Sequence, residues 1–344
     1  MFGGGGLKSA AGIDKLSVKF IHEFLMRYNS NMSQNSQVKP KVLVHIGYPK
    51  TGTTSLQKHI FNSFDGVCYL GLYDRYGDLY KFEESAIRCI YTESSLSFDN
   101  EIGNFLDLDD GKYIFSEENL LTECMIPSRG RKGFERRTQD IKTILSNIKA
   151  FFSCADVEIL ITIRKQREMI PSFYAQHYHK RFKSTVGMES ANSYISTVLS
   201  GGAAAVYYDY NSVYDSAVDC FGAGKVKVMP MEMISSDSKR FIQEVGGVLG
   251  TCSSLELIPA ENVRKEKGVY RVDDIYNLEA VLKKLLNRNV SSVILRNLRL
   301  PRSLFPTEFC VTESLLSQID CRFSTSNREL SNKIGVGLDK YGYF

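Results

Sequence analysis

Nine consecutive residues hold the most chemical information in this sequence: Gly47-Tyr48-Pro49-Lys50-Thr51-Gly52-Thr53-Thr54-Ser55. Before them stands an apolar, β-branched run, Lys41–Gly47 (KVLVHIG), that reads as a buried strand, and a helical pattern follows from Thr53 to Phe64. A strand, turn and helix of this composition aim backbone N–H groups and a helix N-terminus at one point, which suits a phosphate. Gly52 lets the backbone approach an anion closely, and the hydroxyls of Thr53, Thr54 and Ser55 can donate to its oxygens. The spacing is near that of the nucleotide loop G-x-x-x-x-G-K-[ST]. Gly47 and Gly52 stand at the right separation, but Thr53 occupies the lysine's place. The lysine is Lys50 instead, ahead of the second glycine.

Two further groups can act with that loop. Arg164 stands at the end of a second apolar run, Val157–Ile163, and Ser172 follows eight residues later. A guanidinium offers a bidentate fork to a phosphate dianion, and a serine hydroxyl adds one aimed donor. Ser116-Glu117-Glu118-Asn119-Leu120 follows a shorter predicted strand at Tyr113–Phe115 and supplies two carboxylates. An alcohol needs a base to become a good nucleophile. Acidic residues in a helix's first turn also simply favour its dipole, so a structural role stands beside the catalytic one. His177 and His179, beyond Ser172 on the same predicted helix, are weaker candidates.

Pro49-Lys50-Thr51-Gly52-Thr53-Thr54-Ser55 after a strand resembles the 5′-phosphosulfate loop of sulfotransferases that use 3′-phosphoadenosine 5′-phosphosulfate (PAPS). The resemblance implies that Lys50, Thr51, Gly52, Thr53, Thr54 and Ser55 bind the donor, with Lys50 on the bridging oxygen as the sulfuryl group leaves. Arg164 and Ser172 resemble the family's 3′-phosphate site. Ser116–Leu120 resembles the Ser-x-Glu-x-Leu element of bacterial members, which implies Glu118 as the catalytic base, with Glu117 its neighbour and fallback. Gln166 departs from the pattern, since many relatives carry proline there. Lys225–Glu232 (KVKVMPME) is similar to the family's late strand and glutamate, and reads as structural. Arg264-Lys265-Glu266-Lys267-Gly268 interrupts an Arg-Lys-Gly that closes over the 3′-phosphate in cytosolic relatives, so no role is carried over.

The implied reaction moves a sulfuryl group from PAPS to a hydroxyl or amine and releases 3′-phosphoadenosine 5′-phosphate (PAP), without a metal. The expected acceptor is a carbohydrate, either a glycan or a lipid-linked sugar. Two alternatives remain: an ATP-dependent kinase on a related phosphate-loop fold, and a non-catalytic PAP-binding protein that keeps the phosphate grips but lacks the base.

These groups need a frame. Strands alternating with helices predict an α/β protein, a P-loop-like three-layer fold with a central parallel sheet and helices on both faces. The predicted elements include a helix from about Lys165 to Phe182, a strand at Lys225–Met229 and a helix at Asp237–Leu249. Residues 1–37 read as an amphipathic helix with a polar linker, and 38–344 as a single catalytic domain whose part from 270 on is mostly helical.

The chain has 344 residues, and its net charge of +4 is too small for a general nucleic-acid binder. It has no apolar run near the roughly 18 residues of a membrane span. The N-terminus lacks the basic-then-apolar order of a signal peptide, so the expected location is cytoplasmic. Eight scattered cysteines without a C-x-x-C pair predict mostly buried thiols in a reducing compartment. His177 and His179 have no third ligand nearby, so no metal is implied. Arg129, Arg131, Lys132, Arg136 and Arg137, and Lys180, Arg181 and Lys183, read as solvated helix ends or as an electropositive rim. With no tryptophan, sugar stacking falls to tyrosines near the motifs: Tyr48, Tyr174 and Tyr178. Nothing in the sequence sets an oligomeric state.

Overall fold

The computed structural model describes residues 39–71, 90, 111–117, 120–121, 125, 140–153, 155–178, 182, 185–201, 205–255, 257, 269–271 and 308–344. The predicted helix within 1–37, Glu118, His179, both basic clusters and the 264–268 segment lie outside the described residues.

Short apolar runs bounded by turns form the strands β1 (Lys41–Gly47), β2 (Val67–Leu70), β3 (Lys112–Ser116), β4 (Asp156–Ile163) and β5 (Val226–Pro230). They make one sheet in the order β2-β3-β1-β4-β5, with every neighbouring pair parallel. A parallel sheet is covered on both faces, so its central strands are apolar along their length rather than alternating. In β1 every residue from Val42 to Gly47 is buried.

The helices that frame the sheet include α1 (Thr53–Ser55), which continues as a π-helical turn over Leu56–Ile60, α2 (Ile141–Phe151), α3 (Gln166–His177), α4 (Tyr210–Phe221), α5 (Ser238–Leu249) and α6 (Glu313–Ile334). On one face of the sheet, Leu43, Ile114, Leu160 and Met229 share a core with Leu56 and Ile60 and with Phe241, Ile242 and Val245 of α5. On the other, Val44, Ile46, Ile159 and Ile161 share a core with Ile144 and Ile148 of α2, Val213 of α4 and Phe323 of α6. The three-layer α/β architecture is therefore observed.

Several local features differ from the sequence expectation or lie outside it. α3 ends at His177, short of Phe182. Pro171 sits inside it, past the first turn, where it removes one intrahelical N–H bond. β2 is only four residues long, too short to show periodicity. Val269–Arg271 pairs antiparallel with Glu308–Cys310 as a separate two-stranded ribbon. Among the described cysteines none is buried: Cys68 and Cys220 are half-buried, and Cys252, Cys310 and Cys321 are exposed. Cys321 shows why, since it lies off the buried stripe of α6 (Leu316, Ile319, Phe323, Asn327, Leu330).

α6 is fastened to α3 by polar groups. Gln166 and Asn327 exchange a reciprocal amide pair at 2.9 and 3.0 Å. Asn327 also donates to the Tyr343 carbonyl, and Arg167 donates to Asp320 and Glu313. Asn327→Leu leaves the buried Gln166 Oε1 without its donor, while Nε2 keeps the Tyr208 carbonyl. We expect a loss of about 2 kcal/mol in urea unfolding at unchanged m-value. A loss below about 0.5 kcal/mol would show that the pair is dispensable.

Candidate functional site

Topology places the candidate residues together. The connection leaving β1 runs toward β2 and that leaving β4 runs toward β5, in opposite directions across the sheet. β1 and β4 are neighbours, so a crevice opens above their carboxyl ends, where ligands of open α/β sheets bind. The two loops flanking it carry Lys50 and Arg164.

The first loop is tightly determined. The Tyr48 N–H donates to the Thr162 carbonyl at 3.2 Å, tying loop to strand. The Thr51 N–H and hydroxyl both donate to the Tyr48 carbonyl, at 3.3 and 2.6 Å. Lys50 adopts φ 65°, the one positive φ at a non-glycine among the described residues, and Gly52 adopts φ 73°. A lysine in the left-handed region is strained, and such strain gathers at functional sites. A Cβ on Gly47 would lie 2.7 Å from Thr53 Oγ1, so the strand end must be glycine for the helix to start so close. Thr51, Thr53 and Ser55 are buried, while Lys50 and Thr54 are half-buried. The first helical turn begins at Thr53, where backbone N–H groups lack intrahelical acceptors.

Arg164 reaches back to this loop. Its Nη1 donates to the Lys50 carbonyl at 3.1 Å. Nε and Nη2 donate to Glu168 Oε2 at 3.2 and 2.6 Å. Burial opposes ionisation of Glu168. The Arg164 hydrogen bonds and the charges of Arg164 and Lys165 outweigh it, and its pKa is lowered. The turn itself is braced from behind. The Tyr210 hydroxyl donates to the Arg164 carbonyl at 2.5 Å, and the Lys165 N–H donates to Glu232 Oε1 at 3.2 Å. Glu232 also accepts from the Tyr343 hydroxyl at 2.9 Å, and burial pushes its carboxyl pKa up. Glu232 is thus a structural brace, as its sequence context suggested. Ser172 is buried on α3, and no hydrogen bond joins it to Arg164 among the described residues.

β3 ends beside the loop. Its neighbour Glu117 is buried, and the Glu117 N–H donates to the His45 carbonyl at 3.3 Å. His45 is fully buried between Ser116 Oγ at 2.7 Å and Thr162 Oγ1 at 2.9 Å, with its ring against Phe61. Register explains the triad: His45 lies opposite Ser116 of β3 and, in β4, opposite Leu160, two residues before Thr162, so all three share a face. Burial pushes the imidazole pKa down to about 3, so the ring is neutral.

Sequence reasoning missed His45, Gln57, Thr162 and Glu168. The available signal was polar residues inside strongly apolar strands, His45 in KVLVHIG and Thr162 in DVEILITI. Two predicted sugar-stacking rings are corrected. Tyr48 and Tyr174 are core residues, and the Tyr48 hydroxyl donates to the Tyr207 carbonyl. Among the described residues no group of three or more metal-ligating side chains occurs, and no helix is long and apolar enough to cross a membrane.

No family model matches the chain, and no curated protein matches it in sequence. Three similar solved structures are sulfotransferases. A sulfotransferase from Alicyclobacillus acidocaldarius is 14% identical, with a TM-score of 0.40 over 75% of this chain and 99% of its own. Mouse sulfotransferase SULT7A1 complexed with PAP is 14% identical, with a TM-score of 0.34 over 65% of this chain and 61% of its own. The sulfotransferase domain of the curacin biosynthetic pathway is 13% identical, with a TM-score of 0.35 over 84% of this chain and 99% of its own. At TM-scores below 0.5 these likenesses bear no weight beside the geometry of the two loops.

The buried imidazole sets a pH dependence. Its folded pKa lies below the ordinary 6.5, so the unfolded chain binds the extra proton first. Its stabilisation is complete above pH 6.5 and is lost as pH falls toward about 3. The steepest slope is about 1.4 kcal/mol per pH unit. His45→Gln removes that slope. Urea unfolding of both proteins from about pH 7 to about pH 4 checks it, and equal slopes would contradict it.

Proposed function

We propose that the protein is a PAPS-dependent sulfotransferase, with residues 38–344 as one catalytic domain. The carrying observation is the 3.1 Å bond from Arg164 to the Lys50 carbonyl, which joins two motifs 114 residues apart at the sheet's switch point. In this reading Lys50 and the N–H groups of Gly52–Ser55 hold the 5′-phosphosulfate, Thr51 shapes the loop through its two bonds to the Tyr48 carbonyl, and Arg164 and Ser172 hold the 3′-phosphate. Thr53, standing where an ATP-using kinase needs lysine, counts against phosphoryl transfer.

Sulfuryl transfer, like phosphoryl transfer, depends on positioning and on stabilising the leaving oxygens. The acceptor oxygen attacks sulfur in line and gives its proton to Glu118, or to its neighbour Glu117. The bond from sulfur to the bridging oxygen breaks, its electron pair leaves on PAP, and the Lys50 ammonium stabilises that charge. The acceptor is a carbohydrate, either a glycan or a lipid-linked sugar, and the reaction is placed in the cytoplasm, where bacteria make PAPS.

Lys50→Ala and Arg164→Ala should each weaken PAP binding about tenfold or more in calorimetry, about 1.4 kcal/mol. The Glu117→Ala, Glu118→Ala double variant should keep PAP affinity while losing transfer of radiolabelled sulfuryl from PAPS to a glycan or glycolipid fraction. Full transfer by the double variant would overturn the assigned base. PAP binding with no transfer to any fraction by the wild type would favour a non-catalytic PAP-binding protein.

A further inference from the structure

Beneath the loop runs a buried chain of hydrogen bonds that determines its own polarity. The Thr51 hydroxyl donates to the Tyr48 carbonyl at 2.6 Å, so its one proton is committed and it accepts from Thr162 Oγ1 at 2.9 Å. Thr162 has then used its proton, and it accepts from His45 Nε2 at 2.9 Å. A neutral imidazole protonated on Nε2 has a bare Nδ1, which accepts from Ser116 Oγ at 2.7 Å. Ser116 Oγ accepts in turn from the Gln57 amide at 3.1 Å. That amide nitrogen also lies 3.3 Å from the Ser116 carbonyl, which can only accept, so the amide orientation follows from its partners. Each hydroxyl has one proton, and assigning the first assigns every one after it.

The chain connects the parts that the proposed reaction must hold in register. Thr51 belongs to the phosphate loop, Gln57 to the helical segment after it, and Ser116 immediately precedes Glu117. All five side chains are buried, so a broken link leaves a polar atom that water does not satisfy.

We propose that His45, held as the Nε2–H tautomer, is a positioning residue that wires the phosphate loop to the strand end bearing Glu117. The positioning role rests on the sulfotransferase reading, whereas the tautomer rests on hydrogen-bond geometry alone.

Nitrogen NMR of the imidazoles in the uniformly labelled chain tests the tautomer, with His45→Gln assigning the signal. The expected result is a protonated Nε2 and a bare Nδ1. A protonated Nδ1, or a charged ring at neutral pH, would overturn the proposal. Calorimetry with PAP tests the positioning. Thr162→Val, near-isosteric but without the hydroxyl, should weaken PAP about tenfold, about 1.4 kcal/mol, and Thr162→Ser should return it to within about twofold of wild type. Equal affinities in all three proteins, or equal losses in both variants, would overturn the role. Should Thr162→Val fail to fold, Ser116→Ala cuts the chain on the other side of the ring and should weaken PAP about threefold, with no change contradicting the proposal. Wild-type protein that does not bind PAP would remove the sulfotransferase reading and the positioning role with it, while the tautomer would still stand or fall on the NMR signal.

Discussion

The bond from Arg164 Nη1 to the Lys50 carbonyl is the constraint on which the rest of the site depends. It joins the turn after β1 to the turn after β4, the two neighbouring strands whose connections diverge. A parallel sheet with this order opens a crevice there whatever the sequence, but it does not specify what fills it. Here a strained lysine, a left-handed glycine and a half-buried guanidinium do. Lys50 at φ 65° is costly by itself, and its carbonyl is held by a guanidinium whose other donors rest on Glu168.

That guanidinium is held in place by elements far along the chain. Tyr210 of α4 and Glu232 after β5 hold the backbone of Arg164 and Lys165, and Tyr343 near the C-terminus holds Glu232. Asn327 of α6 holds Gln166 and the Tyr343 carbonyl together. The Gln166 side-chain amide has a physical role here, since it pairs with Asn327 of α6 and donates to the Tyr208 carbonyl. Rigidity at the crevice comes from this layered bracing, in keeping with the need of anion sites for donors fixed before the ligand arrives.

The loop, its strand and the alternation of elements were legible because they depend on local pattern. KVLVHIG is a continuous apolar run, and the glycines and hydroxyls after it can be recognised at fixed spacing. Arg164 was legible for the same reason, at the end of a stronger run. What stayed hidden depends on register across the sheet. His45 meets Ser116 because β1 and β3 pair in parallel at that position, and it meets Thr162 because β4 pairs on the other side. Tyr48 and Tyr174, beside the motifs in sequence, turn into the core instead, since a side chain's face is decided by packing. Glu168 was hidden for a simpler reason: an i, i+4 partner of Arg164 reads as an ordinary surface pair until the arginine is seen to bridge the loop.

The proposed function requires this crevice to take a nucleotide bearing a 3′-phosphate. Calorimetric titration of the purified protein with PAP, and in parallel with ADP, tests it most directly, because the two differ at the ribose 3′-phosphate and the terminal 5′-phosphate. PAP should bind at least about tenfold more tightly, a difference of about 1.4 kcal/mol. Equal affinities, or ADP preferred in the presence of Mg²⁺, would contradict it and favour a phosphoryl-transfer site.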